Sequence, residues 1–228
     1  MKKLFLIPAR GGSKGLPGKN FKELNGIPLF MYSVKFSQQC MSEGDRLCIS
    51  TNDDELIAIA DKNGVQIDFK RPEELASDHA SSSDVVSHAL DYFKARGEEF
   101  EAVLLLQPTS PFRSHEDYER MMEQYDDQCD MVVSVKQSKE NPYFTLFEED
   151  ESGYLQKSKE GHFTRRQDCP SVYAYNGSMY LINVKSFWRS GLGGLKKIKK
   201  VLMPDSRSVD IDTMADWVLA EFYCEKQI

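Results

Sequence analysis

Arg10-Gly11-Gly12-Ser13-Lys14-Gly15-Leu16-Pro17-Gly18-Lys19-Asn20 sets three cations among four glycines. Glycines permit positive φ and close backbone approach, and exposed amides beside fixed cations hold phosphate oxygens. The segment reads as a polyphosphate-binding loop. It is not a P-loop, because Ser13 occupies the first glycine position and Asn20 the magnesium-binding Ser/Thr position. Nor is it GxGxxG, since its glycines fall at 11, 12, 15 and 18.

Asp210 and Asp212 form a second group. Two residues apart in an extended segment, their carboxylates share one face. Such a pair suits Mg2+, which takes one or two carboxylates plus phosphate oxygens and water. Thr213 and Asp216 form a capping pair, so Asp212 alone reads as a helix start. With a phosphate loop elsewhere in the chain, metal binding becomes the better reading. Gln107 follows an apolar run and can hydrogen-bond a ligand, with Pro108 and Pro111 stiffening its turn. Arg165-Arg166-Gln167 lies in a polar, charged stretch. The four histidines, at 79, 88, 115 and 162, share no metal-ligand spacing.

Alternating strands and helices must position these groups. Apolar runs at 4–9 and 102–106 read as strands covered on both faces. Further strands are expected at 46–50, 131–136, 178–182 and 199–203. Helices are expected at 28–39, 53–62, 83–96, 114–125 and 213–225, with Pro28 and the acidic residues from Asp53 as start signals and Ser81, Ser82 and Ser83 as natural N-cap residues. The βαβα order predicts an α/β layered fold with a mostly parallel sheet. Residues 137–172 break the rhythm as a polar excursion with short β-like pieces such as 143–147, a length that usually marks function or an interface.

The 228 residues fit one domain, and 40% hydrophobic content supports a real core. A net charge of −7 excludes a broad nucleic-acid or anionic-membrane surface, so phosphate binding must be local. The five cysteines are scattered, without CxxC or zinc spacing, as expected of a reduced, cytoplasmic protein. The first apolar run stops at Pro8, too short for an export signal or a membrane span.

The loop at 10–15 with Lys19 and Asn20 resembles the signature of the acylneuraminate cytidylyltransferases, the CMP-sialic acid synthetases. The likeness continues, in order along nearly the whole chain, at 71–78 with Ser81 and Ser82, at 105–113, at 165–167 with 176–178, and at 210–213. The resemblance implies a three-layer Rossmann-like nucleotidyltransferase fold, one domain over 1–228, with 137–172 as a dimerisation excursion. It implies transfer of CMP from CTP to the 2-hydroxyl of N-acetylneuraminic acid, with pyrophosphate released. Arg10, Gly11, Gly12, Ser13, Lys14, Gly15, Lys19 and Asn20 would bind the nucleotide, with Lys19 nearest the α-phosphate. Arg71 and Ser82 would hold the base and ribose, and Gln107, Arg165 and Gln167 the sugar acid. Arg10, Lys19, Asp212 and Arg165 would carry the catalytic work, with Mg2+, or Mn2+ in its place, on Asp210 and Asp212. No side chain stands out as general base; Asp212 and a metal-bound hydroxide are both candidates.

A homodimer is also implied, the excursion completing the partner's sugar site. Gly18 and Phe112 depart from the family's usual bulkier residue and leucine, without removing a chemical group. No hydrolase domain is expected after residue 228. Two other readings fit the residues: the same transfer to Kdn, Kdo, legionaminic or pseudaminic acid, and a non-catalytic nucleotide-sugar-binding protein that keeps the fold.

Overall fold

The computed structural model describes residues 1–12, 15–77 and 79–226. The elements run β1 (Lys3–Pro8), β2 (Glu23–Leu24), β3 (Ile27–Pro28), α1 (Leu29–Cys40), β4 (Arg46–Ser50), α2 (Asp54–Lys62), α3 (Ser82–Lys94), β5 (Ala102–Leu106), α4 (His115–Gln124), β6 (Met131–Gln137), β7 (Phe147–Glu149), β8 (Leu155–Lys157), β9 (Tyr173–Asn183), α5 (Val184–Ser190), β10 (Ile198–Leu202) and α6 (Met214–Lys226). Six strands form one sheet in the order β10-β6-β9-β5-β1-β4. Five run parallel to one another; β9 alone runs antiparallel, between β5 and β6.

Both faces of the sheet are covered, which explains its continuous apolar strands. Phe5 and Ile7 of β1 point into one core cluster with residues of α1, α2 and α4. Leu4 and Leu6 point the opposite way, into a cluster with α3 and α5. These three layers match the expected architecture. Helix starts follow side-chain chemistry: Asp53 accepts from the Glu55 and Leu56 amides, and Ser114 forms a capping box with Asp117. Among the serines at 81–83 it is Ser81 that caps α3, through Asp84, so the helix begins one residue earlier than expected.

Three expectations need correction. Residues 143–145 form turns, and the excursion's hairpin is instead β7–β8. The strand expected at 178–182 extends to Tyr173–Asn183, since its outer half pairs with the end of β6. Helix α5 was not anticipated; seven residues with a mixed polar sequence carry little periodic signal. The excursion closes at its neck, where the Ser138 amide donates to the Val172 carbonyl at 3.0 Å. None of the described helices is long and apolar enough to cross a membrane.

A third, smaller cluster decides where the acidic pair sits. Val209 and Ile211 turn inward against Leu24, Leu29 and Trp217, so Asp210 and Asp212 turn outward. Trp217 is 1% exposed, donates from Nε1 to Glu221 Oε1 at 2.8 Å, and carries Lys22 Nζ over its ring at 4.2 Å. Trp217→Ala is expected to lower the unfolding free energy by about 3–5 kcal/mol, measured by denaturant titration.

Candidate active site

In open α/β sheets the carboxyl ends of parallel strands leave a crevice for ligands. Here β1 ends at Pro8 and β5 at Leu106, and the loops leaving them enclose a cleft of about 400 Å3. Arg10, Gly15, Lys19, Asn20, Gln107, Asp210 and Asp212 all line it. Residues almost two hundred positions apart in sequence therefore converge, as expected for one reaction site.

The glycine loop is fastened at several points. Asn20 Nδ2 donates to the Arg10 carbonyl at 2.8 Å and so draws the two ends of the loop together. The Gly11 amide donates to Asn52 Oδ1 at 3.0 Å, and Arg10 Nη1 reaches the Ala76 carbonyl at 2.9 Å. Gly12 adopts φ +70°, as a phosphate loop requires of some of its residues. At Gly15 the need is space, because a Cβ would lie 2.4 Å from the Asp212 carbonyl oxygen. Gly18 sits at φ +67° with the Phe21 ring 2.8 Å from where a Cβ would be, so a bulkier residue there would be strained in its backbone and would have to move that ring. Ser13 and Lys14, expected in this loop, lie outside the described residues.

Lys19 is buried and joins the loop to the acidic segment. Its Nζ donates to the Ile211 carbonyl at 2.8 Å and to Asp212 Oδ1 at 2.7 Å, leaving one N–H donor of three. Asp210 is reachable by solvent at the cleft but crowded by protein. That crowding raises its pKa; a hydrogen bond from Thr109 opposes the shift, the charge of Asp212 adds to it, and Lys19 offsets part of it. The two carboxylates stand on one side of a cleft whose cations are Lys19 and Arg10. Such a donor set fits a hard divalent cation, which needs no third protein ligand when phosphate and water complete its shell.

Other expected residues lie apart. Arg71 is buried beside the cleft, Nε on Ser50 Oγ at 2.9 Å, Nη2 on the Ser50 carbonyl at 2.5 Å and Nη1 toward the Leu75 carbonyl at 3.4 Å. Burial, and then the charge of Arg10, lowers its pKa to about 10, so it stays cationic at neutral pH. It pins the 71–77 segment to β4. Ser82 is exposed at the first turn of α3. Arg165 and Gln167 are exposed on the excursion, where Arg165 grips Asp168 with two contacts of 2.9 Å. Gln167 lines a larger cavity of about 680 Å3 between the excursion and the turn after β10. No phosphate-loop residue reaches that cavity, so its size does not make it the reaction site.

Asn176, quoted with the sugar region, is buried and structural. It accepts from Ser134 Oγ at 2.7 Å and donates to Ser208 Oγ at 3.0 Å. Sequence reasoning missed Tyr180 in the cleft wall, and gave Thr109 and Gly177 no role of their own within the segments that carry the resemblance. Tyr180 lies in a strand whose apolar neighbours hide it, whereas Gly177 betrays itself by standing between two polar residues at a strand bend, with φ +75°.

A parallel-sheet protein whose first βα loop is rich in glycine and lysine, facing paired aspartates, defines a nucleotide-binding α/β class. A family model described as cytidylyltransferase matches residues 4–194. The chain belongs to this cytidylyltransferase family of nucleotidyltransferases. It is 32% identical to CMP-N,N'-diacetyllegionaminic acid synthase of Legionella pneumophila, over 97% of this chain and 95% of that one. It is 28% identical to pseudaminic acid cytidylyltransferase of Campylobacter jejuni, over 97% and 95% respectively. It is also 33% identical to N-acylneuraminate cytidylyltransferase B of Danio rerio, over 95% of this chain but 50% of that one. The fold is similar to that of CMP:2-keto-3-deoxy-manno-octonic acid synthetase complexed with CTP, with a TM-score of 0.70, 16% identity and 100% of both chains covered.

Gly15→Ala forces the loop away from Asp212 at a cost of about 1–3 kcal/mol. Calorimetric titration with CTP is expected to show affinity falling about tenfold, with Tm lowered by about 2–4 °C per kcal/mol of that cost.

Proposed function

We propose that the protein transfers CMP from CTP to the 2-hydroxyl of a nonulosonic acid, releasing pyrophosphate. The observation that carries this reading is the convergence of Lys19, Arg10 and Gln107 with Asp210 and Asp212 on one cleft. Relatives named for legionaminic, pseudaminic and N-acylneuraminic acids supply the acceptor class. N-acetylneuraminic acid and N,N'-diacetyllegionaminic acid fit this reading equally well.

In-line attack on a phosphate requires positioning and charge neutralisation rather than covalent help from protein. Arg10 and the remaining N–H of Lys19 would draw charge from the triphosphate, while the Gly15 backbone lies beside it. Asp210 and Asp212 would hold Mg2+, or Mn2+, which when bound supplies further neutralisation of the phosphates. Among the described residues no histidine lines the cleft, and Asp212 is the candidate side-chain proton acceptor for the sugar hydroxyl. Gln107 would orient the sugar acid.

Arg165 lies on the excursion rather than in its own chain's cleft, and a guanidinium grips a carboxylate with two bonds. Our reading makes the protein a homodimer in which Arg165 and Gln167 serve the partner's cleft. Arg71 and Ser82 would flank the base. A cytoplasmic location suits a chain with free thiols and this substrate pair.

Pyrophosphate release from CTP with a panel of nonulosonic acids tests the reaction. Release with at least one sugar, abolished by chelating divalent cations, is expected; no release with any sugar overturns the reading. Lys19→Ala and Asp212→Ala should each lower kcat by about 100-fold to 1000-fold. Mixing the inactive Lys19→Ala and Arg165→Ala proteins should restore activity, about a quarter of wild type, because random dimers regain one intact site in half of the pairs. No recovery on mixing argues against sharing of the site between subunits.

A further inference from the structure

Arg113 is a buried cation with no carboxylate partner among the described residues, 7% exposed in the interior behind the cleft. Four of the five N–H donors of its guanidinium are spent on neutral acceptors. Nε donates to Ser178 Oγ at 3.1 Å, Nη1 to Ser33 Oγ at 2.6 Å, and Nη2 to the carbonyls of Gln107 at 2.6 Å and Ser110 at 2.5 Å. Its face lies 5.5 Å from the Phe36 ring. Burying a charge without a counter-ion is costly, and an apolar side chain of similar volume often serves stability as well or better. The acceptors explain what the charge does. Two are the carbonyls that bracket the turn carrying Gln107; a third, Ser178, follows Gly177 of the cleft wall; the fourth sits on α1.

The same turn is tied forward to the acidic segment. The Ile211 amide donates to the Thr109 carbonyl at 2.8 Å, and the Ser110 amide donates to the Gln107 carbonyl at 3.3 Å. Ser110 Oγ reaches the Asn176 carbonyl at 3.1 Å. A shift of the 107–110 turn therefore moves the Gln107 side chain directly, whereas the loop holding Arg10 and Lys19 is not bonded to Arg113 and meets the turn indirectly, through Ile211, while Asn52 and Ala76 fasten it elsewhere.

We propose that Arg113 is a positioning residue for the acceptor, locking the 107–110 turn against Ser178 and α1 so that Gln107 meets the sugar acid in one orientation. The inference rests on the reading of Gln107 as the acceptor-contacting residue. Lysine cannot replace Arg113, because an ammonium on a flexible stem cannot reach four acceptors spread around a planar fork.

Initial rates of pyrophosphate release, with CTP and the sugar acid varied separately, test it on Arg113→Lys, Arg113→Met and Ser178→Ala. The KM for the sugar acid is expected to rise about tenfold in Arg113→Lys and about threefold to fivefold in Ser178→Ala. The KM for CTP should stay within about twofold, because a general loosening would weaken both substrates alike. A folded Arg113→Lys or Arg113→Met with wild-type sugar KM overturns the proposal, as does a parallel rise in both KM values. If the Arg113 variants do not fold, Ser178→Ala decides alone by the same criteria. If the wild-type enzyme uses no sugar acid, the proposed function has failed, and hydrogen exchange decides for Arg113. Faster exchange of the Ser110 and Ile211 amides in Ser178→Ala, with β4 unchanged, supports the lock; unchanged exchange overturns it.

Discussion

The contact between Lys19 and the 211–212 segment is the constraint on which the site depends. One ammonium, 11% exposed, binds a backbone carbonyl and a carboxylate that come from the far end of the chain. The glycine loop is also fastened to Asn52 and Ala76, and the acidic segment to Thr109; Lys19 ties the two directly to each other. The pair is also unequal, since Asp212 is 68% exposed and keeps an oxygen open to the cleft. A cation buried on a rigid loop and a carboxylate left at the surface suit an arriving phosphate and its counter-ion.

Packing beneath that contact does the aligning. Alternation at 209–212 buries Val209 and Ile211 and exposes both aspartates, in an irregular segment held by the Ile211 bonds to Lys19 and Thr109. The β2–β3 hairpin turns at Asn25-Gly26, both with positive φ, and brings Leu24 into the same small cluster as Trp217. Farther back, Asp117 is buried on α4 and accepts two bonds of 2.9 Å from Arg207. That ion pair anchors the turn that leads into the acidic segment. Buried polar groups thus cluster behind the cleft and fix its walls, while the groups left for ligands are few.

The parts legible in the sequence were those in which one residue's chemistry decides its own placement. The apolar runs of β1 and β5 could only be covered strands, and Asp53 and the serines at 81–83 could start helices wherever those helices packed. The glycine–lysine loop announced itself because φ and charge are local properties. The antiparallel sense of β9 was not legible, since strand direction is set by neighbours rather than by the strand's own residues. Arg71 read as a base-binding donor, yet most of its bonds hold β4 to the next segment; a guanidinium looks the same in sequence whether it meets ligand or backbone. Arg165 and Gln107 read as one sugar group, and only the fold separates them, with Gln107 in the cleft and Arg165 on the excursion.

That separation bears on how the substrate is chosen. Under the reaction proposed above, phosphate chemistry is confined to the loop after β1 and the acidic segment facing it, where spacing tolerates little change: a methyl group at Gly15 already collides with Asp212. The excursion faces less of this limit, because it pairs with the sheet at its neck and most of its remaining side chains, Arg165 and Gln167 among them, are exposed. A chain built this way can alter the groups that meet the acceptor without disturbing those that meet the triphosphate. Relatives named for different sugar acids at similar identity are what that division of labour leads one to expect. The acidic net charge of −7 fits the same arrangement, since the cations needed for a polyanion are concentrated in one loop and the remaining surface is free to vary.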